Sequence, residues 1–346
     1  MFKKSAFSLS THEWISLFSE LSIPENSLFF WLRWLYKNKI NIHEHISPLQ
    51  LKALNSLLDF SLPKITKTLT ASDGTVKFQV AFEDNLEVET VLIPFKKRYT
   101  VCLSTQVGCA MNCNFCYTGT QGLKRNLKVH EIIGQYLLAK NYLLQVFPNS
   151  IPPRIVFMGQ GEPLHNFDEL KHALLILTDK RLINLGPKEI TLSTAGFLPG
   201  LLKASSLPKI NYALSLHSPF NDERQMLIPI SSNFHLDSVV KELDDLSLHN
   251  KSIITYEYLL IQNFNMSDHH IKGLVKLLSS RKAVLNLIPF NPFPGSTWTR
   301  PVPQEIEIFK NKLVENKIRV FIRTTKGDEI LAACGQLKIN KFSKGN

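Results

Sequence analysis

From Thr100 to Arg323 the chain alternates short apolar runs of strand type with longer segments of helical period, and this alternation restricts the fold most. Strands are expected at Thr100–Thr105, Arg154–Met158, Glu189–Ser193, Asn211–Leu216, Ile253–Leu260, Val284–Pro289 and Val320–Arg323. Helices are expected between them at Val129–Gln145, Phe167–Asp179, Leu236–Leu246, Asp268–Ser279 and Gln304–Asn316. In the last of these Ile306, Phe309 and Leu313 fall on one face. Such alternation argues for an α/β fold with a parallel sheet and helical crossovers. Six or so units are too few for a complete eight-fold barrel, so a partial barrel is expected. In a parallel array of this kind, binding groups collect at the C-terminal ends of the strands.

Two smaller regions precede the array. Residues 1–64 read as a helical accessory domain. Ser10 or Thr11 caps a helix to about Leu21, Pro24-Glu25-Asn26 interrupts it, and Ser27–Lys37 resumes it. Phe29, Phe30, Trp31, Trp34 and Tyr36 share that segment with Arg33, Lys37 and Lys39. Aromatic and basic residues together suit RNA binding, and the same spacing suits a helical core face. Residues 65–98 read as a β extension, with a turn at Ser72-Asp73-Gly74-Thr75 before the alternating VKFQVAF and VETVLIP. The remainder, 99–346, forms the core domain.

The chemistry begins at Gly108–Gly119, GCAMNCNFCYTG, where Cys109, Cys113 and Cys116 stand in a C-x3-C-x2-C spacing. Three thiolates with no fourth ligand beside them are an incomplete set. A closed zinc site takes four ligands, and the nearest histidine, His130, lies in an expected helix. A four-iron cluster takes one thiolate per iron, so three leave one iron open to a ligand that is not protein. A zinc site completed by a distant residue is the rival reading. The other two cysteines are Cys102 and Cys334, and each taken alone reads as a small buried apolar residue. An odd count of five, with three crowded together, argues against a secreted disulfide scaffold.

The formal charge of +11 favours a polyanionic partner. No apolar run reaches the length of a membrane span, and the N-terminus lacks the apolar core of a signal peptide. A cytoplasmic protein is therefore expected.

The C-x3-C-x2-C spacing is that of the radical S-adenosylmethionine (SAM) enzymes. The chain also carries MGQGEP (Met158–Pro163), TLSTAG (Thr191–Gly196), ALSLHSP (Ala213–Pro219), IPFNPFPG (Ile288–Gly295) and DEILAACGQL (Asp328–Leu337). In this order, from about Thr70 to Leu337, they resemble the RlmN/Cfr family of RNA adenosine methyltransferases. AACGQL with its cysteine is the most specific of these motifs.

The resemblance implies a partial (βα)6 barrel and one [4Fe-4S] cluster on Cys109, Cys113 and Cys116. It implies that Gly161 and Glu162 meet the methionine part of SAM. Ser193, Ser215, Leu216, His217 and Asn291 would hold its carboxylate, ribose or adenine. Serine and asparagine at strand ends otherwise act as turn and cap residues. An adenine ring carbon is not nucleophilic and cannot take a methyl group by simple displacement. The family uses a carrier thiol, which Cys334 matches. One SAM methylates it and a second supplies the radical, so two SAM are used per turnover. Cys102 matches the resolving thiol, which closes a transient disulfide with Cys334. Glu89 matches the proton acceptor, although by itself it reads as a solvated strand carboxylate.

The implied substrate is C2 of an adenosine in 23S rRNA, with tRNA as a second substrate. An electron donor such as flavodoxin or ferredoxin would serve it, and a monomer is expected. Lys96-Lys97-Arg98, Lys124-Arg125 and Lys338, Lys341 and Lys344 flank the site and could meet phosphates, or simply form solvated faces. Three alternatives stay open: a Cfr-type C8 methyltransferase, which needs the same residues; a different radical SAM enzyme acting on protein, which would leave Cys334 and AACGQL unexplained; and a zinc-stabilised RNA-binding module.

Overall fold

The structure is a computed structural model that describes residues 3–37, 45–96 and 98–339. Lys39, Lys97, Lys341 and Lys344 lie outside the described residues.

The N-terminal region holds β1 (Lys4–Ser5), α1 (Thr11–Glu20), α2 (Glu25–Lys37), α3 (Pro48–Leu57) and β2 (Leu58–Asp59). Ser10 starts α1 through a capping box. Its hydroxyl accepts the Glu13 N–H at 3.3 Å, and the Glu13 carboxylate accepts the Ser10 N–H at 2.8 Å. The interruption expected over residues 24–26 falls at residues 21–24, because α1 ends at Glu20 and α2 already includes Glu25 and Asn26. Pro24 sits just outside, where its missing N–H is harmless, and its carbonyl accepts the Ser27 N–H. Trp14, Phe18, Trp31 and Tyr36 are buried, and the Trp14 and Trp31 rings meet edge-on at 6.1 Å. Phe29 is exposed, with the Arg33 guanidinium 5.3 Å from its ring centre. The aromatic segment thus serves the core through Trp31 and Tyr36 and the surface through Phe29. The buried aromatics join one continuous apolar core with the rest of the molecule.

The extension consists of β3 (Lys64–Thr70), β4 (Val76–Ala81) and β5 (Glu87–Phe95), all antiparallel. Gly74, at φ +80°, closes the turn between β3 and β4, and the Ala71 N–H reaches the Thr75 carbonyl at 2.8 Å. β5 pairs antiparallel with β6 (Arg98–Cys102), so the extension continues the sheet of the barrel.

After β6 come the short pair β7 (Gln106–Gly108) and β8 (Leu123–Asn126), then α4 (Val129–Val146), β9 (Arg154–Phe157) and α5 (Phe167–Thr178). The chain continues through β10 (Ile190–Thr194), α6 (Leu198–Leu201), β11 (Asn211–Ser215), α7 (Asn221–Leu227), α8 (Leu236–Asn250) and β12 (Ile254–Leu260). It closes with α9 (Asp268–Leu278), β13 (Ala283–Pro289), α10 (Pro303–Glu315) and β14 (Val320–Ile322). The ten-stranded sheet has the order β14-β13-β12-β11-β10-β9-β6-β5-β4-β3. From β6 to β14 every pairing in it is parallel, which makes six βα crossovers. The expected partial barrel is therefore present. The crossover from β10 to β11 carries the four-residue α6, whose Pro199-Gly200 does not extend a helix, and a 3-10 turn at Ala204–Ser206. Among the described residues no helix is long and apolar enough to cross a membrane.

Candidate active site

The cysteine loop begins where β7 ends. Gly108 has φ +77°, and a Cβ there would lie 1.8 Å from the Gly122 carbonyl oxygen. Only glycine lets the two ends of the loop meet. Asn112 is also left-handed, at φ 52°. The Cys116 N–H reaches the Cys113 carbonyl at 3.1 Å, and Gly119 N–H reaches the Cys116 carbonyl at 3.0 Å. α7 supports the loop from outside: Asn114 donates its N–H to the Leu227 carbonyl at 3.0 Å and its amide to Met226 at 2.5 Å.

Cys109, Cys113 and Cys116 all line a cavity of about 140 Å³ at the C-terminal ends of the parallel strands. Burial pushes the Cys109 thiol up to about 12, with Cys116 and Glu162 acting in the same direction. Burial, then Cys116 and Cys109, push Cys113 well above its ordinary value. Three such thiols ionise together only around a compensating cation. Three thiols on one cavity with no fourth protein ligand beside them are a donor set that fits a four-iron cluster with one open iron.

Gly161, Glu162, Ser193, Ser215 and His217 line the same cavity. Gly161 adopts φ +102°, and a Cβ would lie 2.6 Å from the Gln106 Cβ. Glu162 is buried; its carboxylate accepts the Ala195 N–H at 2.7 Å and the Leu164 N–H at 3.1 Å. Burial nonetheless pushes its carboxyl up to about 7. His217 Nδ1 accepts the Leu259 N–H at 3.1 Å, and burial, then Arg224, bring the ring down to about 3. It is thus a neutral imidazole whose free hydrogen is on Nε2. Leu216 and Asn291 do not line the cavity. Leu216 packs into the core. Asn291 donates its amide to the Cys334 carbonyl at 3.1 Å, and its Oδ1 accepts from Arg300 at 2.9 Å and Thr325 at 3.1 Å.

Cys334 lines the cavity with the three loop cysteines. Its segment is stitched to the cysteine loop: Tyr117 N–H donates to the Gly335 carbonyl at 2.6 Å and Thr118 Oγ1 to the Leu337 carbonyl at 2.6 Å. Cys102, at the end of β6, packs against Ala332 and Leu337. Burial, then Cys334, push its thiol up to about 12. Both thiols are free, so the implied disulfide is not formed here. Glu89 is buried, accepts the Lys338 N–H at 2.8 Å and pairs with Lys77 at 2.8 Å. Burial raises its carboxyl, while Lys77 opposes the shift.

Several residues at the site had no sequence motif. Glu257 on β12 lines the cavity, accepts the Ser193 hydroxyl at 3.0 Å and faces Arg323 at 3.5 Å. The one sequence signal was an acid inside the apolar run ITYEYLL. Arg224 is buried beneath the cavity and donates to the Ala195 and Ser215 carbonyls. The basic runs also change meaning. Arg125 is held by both oxygens of Glu131 at 2.8 Å and by Asp84 at 2.6 Å, and Arg98 by Glu189 at 2.5 Å. Lys338 reaches Thr120 and lies 4.2 Å from the Tyr117 ring centre. Lys96 and Lys124 remain exposed.

The radical SAM superfamily model matches residues 103–275. A dual-specificity RNA methyltransferase RlmN of Nitratidesulfovibrio vulgaris (strain DP4) is 39% identical over 289 residues, 82% of this chain and 79% of that protein. Its counterpart in Lawsonia intracellularis (strain PHE/MN1-00) is 39% identical over 323 residues, 91% of this chain and 90% of that one. A crystal structure of a radical SAM methyltransferase from Sphaerobacter thermophilus superposes with a TM-score of 0.90 at 30% identity, over 97% of this chain and 99% of that one. The chain is thus similar to these proteins in sequence, in fold and in length, and it belongs to the RlmN family of radical SAM RNA methyltransferases.

Proposed function

We propose that this enzyme methylates C2 of an adenosine in 23S rRNA and in tRNA, through an S-methylcysteine on Cys334. The dual-specificity name of its relatives supports two RNA substrates. The observation that carries the reading is that Cys334 lines the cavity of the three loop cysteines, with Cys102 packed against its neighbours and Glu89 beyond.

When bound, a [4Fe-4S] cluster and SAM, two molecules per turnover, supply the electron, the methyl group and the radical. Cys109, Cys113 and Cys116 hold the cluster. Gly161 keeps the backbone close, while Glu162, Ser193, Ser215 and His217 hold the polar parts of SAM. Asn291, whose amide also reaches the Cys334 carbonyl, holds SAM with them. Leu216 contributes its backbone: its N–H donates to the Glu257 carbonyl at 2.9 Å. The Cys334 sulfur carries the methyl carbon to the base, which must leave its stack to enter the cavity. Glu89 accepts the proton lost from the base. Cys102 then attacks the Cys334 sulfur: the S–S bond forms as the C–S bond to the base breaks, and the freed carbon takes a proton to become the methyl group. An electron donor such as flavodoxin or ferredoxin supplies the reducing equivalents. The protein acts as a cytoplasmic monomer, and its net charge of +11 recruits RNA. The helical region 1–64 aids that recruitment.

The test is the Cys102→Ala variant of the cluster-loaded enzyme with RNA. It methylates Cys334 and attacks the base but does not release it, leaving protein joined to RNA on a denaturing gel. Nuclease removes the adduct, and Cys334→Ala never forms it. Normal turnover by Cys102→Ala would overturn the carrier reading.

A further inference from the structure

We propose that Lys77 is a positioning residue for the carrier segment, holding the Leu331 carbonyl and the Glu89 carboxylate in one grip that presents Cys334 to the cavity. The inference rests on the reading of Cys334 as carrier and Glu89 as proton acceptor.

β4 alternates: Val76, Phe78 and Val80 face the core, and Lys77 and Gln79 face away. A lysine on that second face would ordinarily be solvated. Here its side chain is only 8% exposed, as is that of Glu89. The register places Glu89 opposite Gln79 and Val91 opposite Lys77, so Lys77 and Glu89 are diagonal neighbours on one face. Residues 331–338 cross this face. Lys77 Nζ donates to the Leu331 carbonyl at 3.0 Å and meets Glu89 Oε1 at 2.8 Å. Glu89 Oε2 accepts the Lys338 N–H at 2.8 Å. One buried ion pair therefore fastens both ends of the segment that carries Cys334.

Leu331 supplies the second observation. It is left-handed at φ 52°, a conformation that a residue with a Cβ adopts only when its surroundings impose it. The Lys77 hydrogen bond is what takes up its carbonyl. Within the segment, Asn291, Tyr117 and Thr118 hold the Cys334, Gly335 and Leu337 carbonyls, and none of them reaches Leu331 or the Lys338 N–H. Ahead of it, Asp73 Oδ2 accepts the Gly327 N–H at 3.0 Å, and Glu329 accepts the Ser72 N–H. These set the approach to the segment but touch nothing after Glu329.

Lys77 also tunes Glu89. The groups facing that carboxylate are Lys77 from β4, Lys67 from β3 and the Lys338 N–H. Gln160 takes the Glu89 backbone N–H, and Glu87 on the same strand is engaged by Gln79 and Thr66. Burial favours the neutral acid, and Lys77 favours the carboxylate. Loss of Lys77 therefore moves the protonation of Glu89 to higher pH.

The experiment compares full-length Lys77→Met, Lys77→Arg and the double variant Lys77→Met/Glu89→Gln with the parent enzyme. Hydrogen exchange of the amides of residues 331–338 is measured first. It should quicken about tenfold or more in Lys77→Met and in the double variant, and stay near the parent rate in Lys77→Arg. The pH profile of single-turnover product release is measured next. Its acid limb should move up by about one unit in Lys77→Met and return in Lys77→Arg. Unchanged exchange and an unchanged acid limb in Lys77→Met would overturn the proposal. Should Lys77→Met not fold, the double variant, which leaves no unpaired buried charge, decides by the same exchange criterion. A parent enzyme whose Cys334 never carries a methyl group would defeat the carrier reading instead, while the exchange result would still judge Lys77.

Discussion

Two segments meet at the cavity and are built on opposite principles. The cysteine loop is held by its own backbone: glycines at both ends, one residue in a left-handed turn, and short-range hydrogen bonds. The segment around Cys334 is held from far away in sequence: Asn291 on its carbonyl, Tyr117 and Thr118 on Gly335 and Leu337, and Lys77 and Glu89 at its two ends. The first depends on steric permission, and the two ends of the second on buried charge. They should therefore fail differently.

The largest expected effect lies in the cysteine loop. Cys113→Ala should lose the cluster, seen as absence of iron, sulfide and brown colour, because two thiolates cannot hold it. Full iron content would break the assignment. Gly108→Ala tests the backbone itself. The added Cβ meets the Gly122 carbonyl and the residue must keep a positive φ, so a loss of about 3–5 kcal/mol is expected in urea unfolding of the cluster-free chain.

The other segment answers to charge. Lys77→Met leaves the Glu89 carboxylate buried without its partner and should cost about 3–5 kcal/mol. Replacing both residues by Met should recover most of that stability while the carrier segment stays loose. If the double replacement also restored protection of residues 331–338, charge would not be what holds the segment.

A smaller effect separates the two by pH. Burial pushes Glu162 up to about 7 from an ordinary 4.5, so the folded chain prefers its protonated form. That contribution is complete below about pH 4.5 and is lost as pH rises through about 7, worth roughly 3 kcal/mol in all. Glu162→Gln in the cluster-free chain should remove this part of the decline, measured as unfolding free energy at pH 5 and pH 8. An unchanged decline would show that the Ala195 and Leu164 N–H groups outweigh burial.

The sequence carried the barrel because hydrophobic period is local. Five of the crossover helices fell where the pattern put them, while α6 was missed because Pro199-Gly200 breaks the period. It carried the cysteine loop for the same reason: C-x3-C-x2-C is complete within eight residues. The AACGQL motif located the carrier thiol only through resemblance to a family.

Long-range burial was decided by the tertiary structure. Lys77 and Glu89 stand at the outward positions of their strands, which a sequence reads as solvated. Arg125 reads as a free cation, yet Glu131 and Asp84 take it up. Asn291 reads as a residue at a strand end, and the fold sets its amide on the Cys334 carbonyl and its Oδ1 under the Arg300 and Thr325 side chains. The physical reason is the same for each. A pattern of residues fixes which face of a strand points away from its own core, but not what later crosses that face. Residues 331–338 cross the outward face of β4 and β5 from more than two hundred positions away, and turn a surface lysine and glutamate into a buried pair.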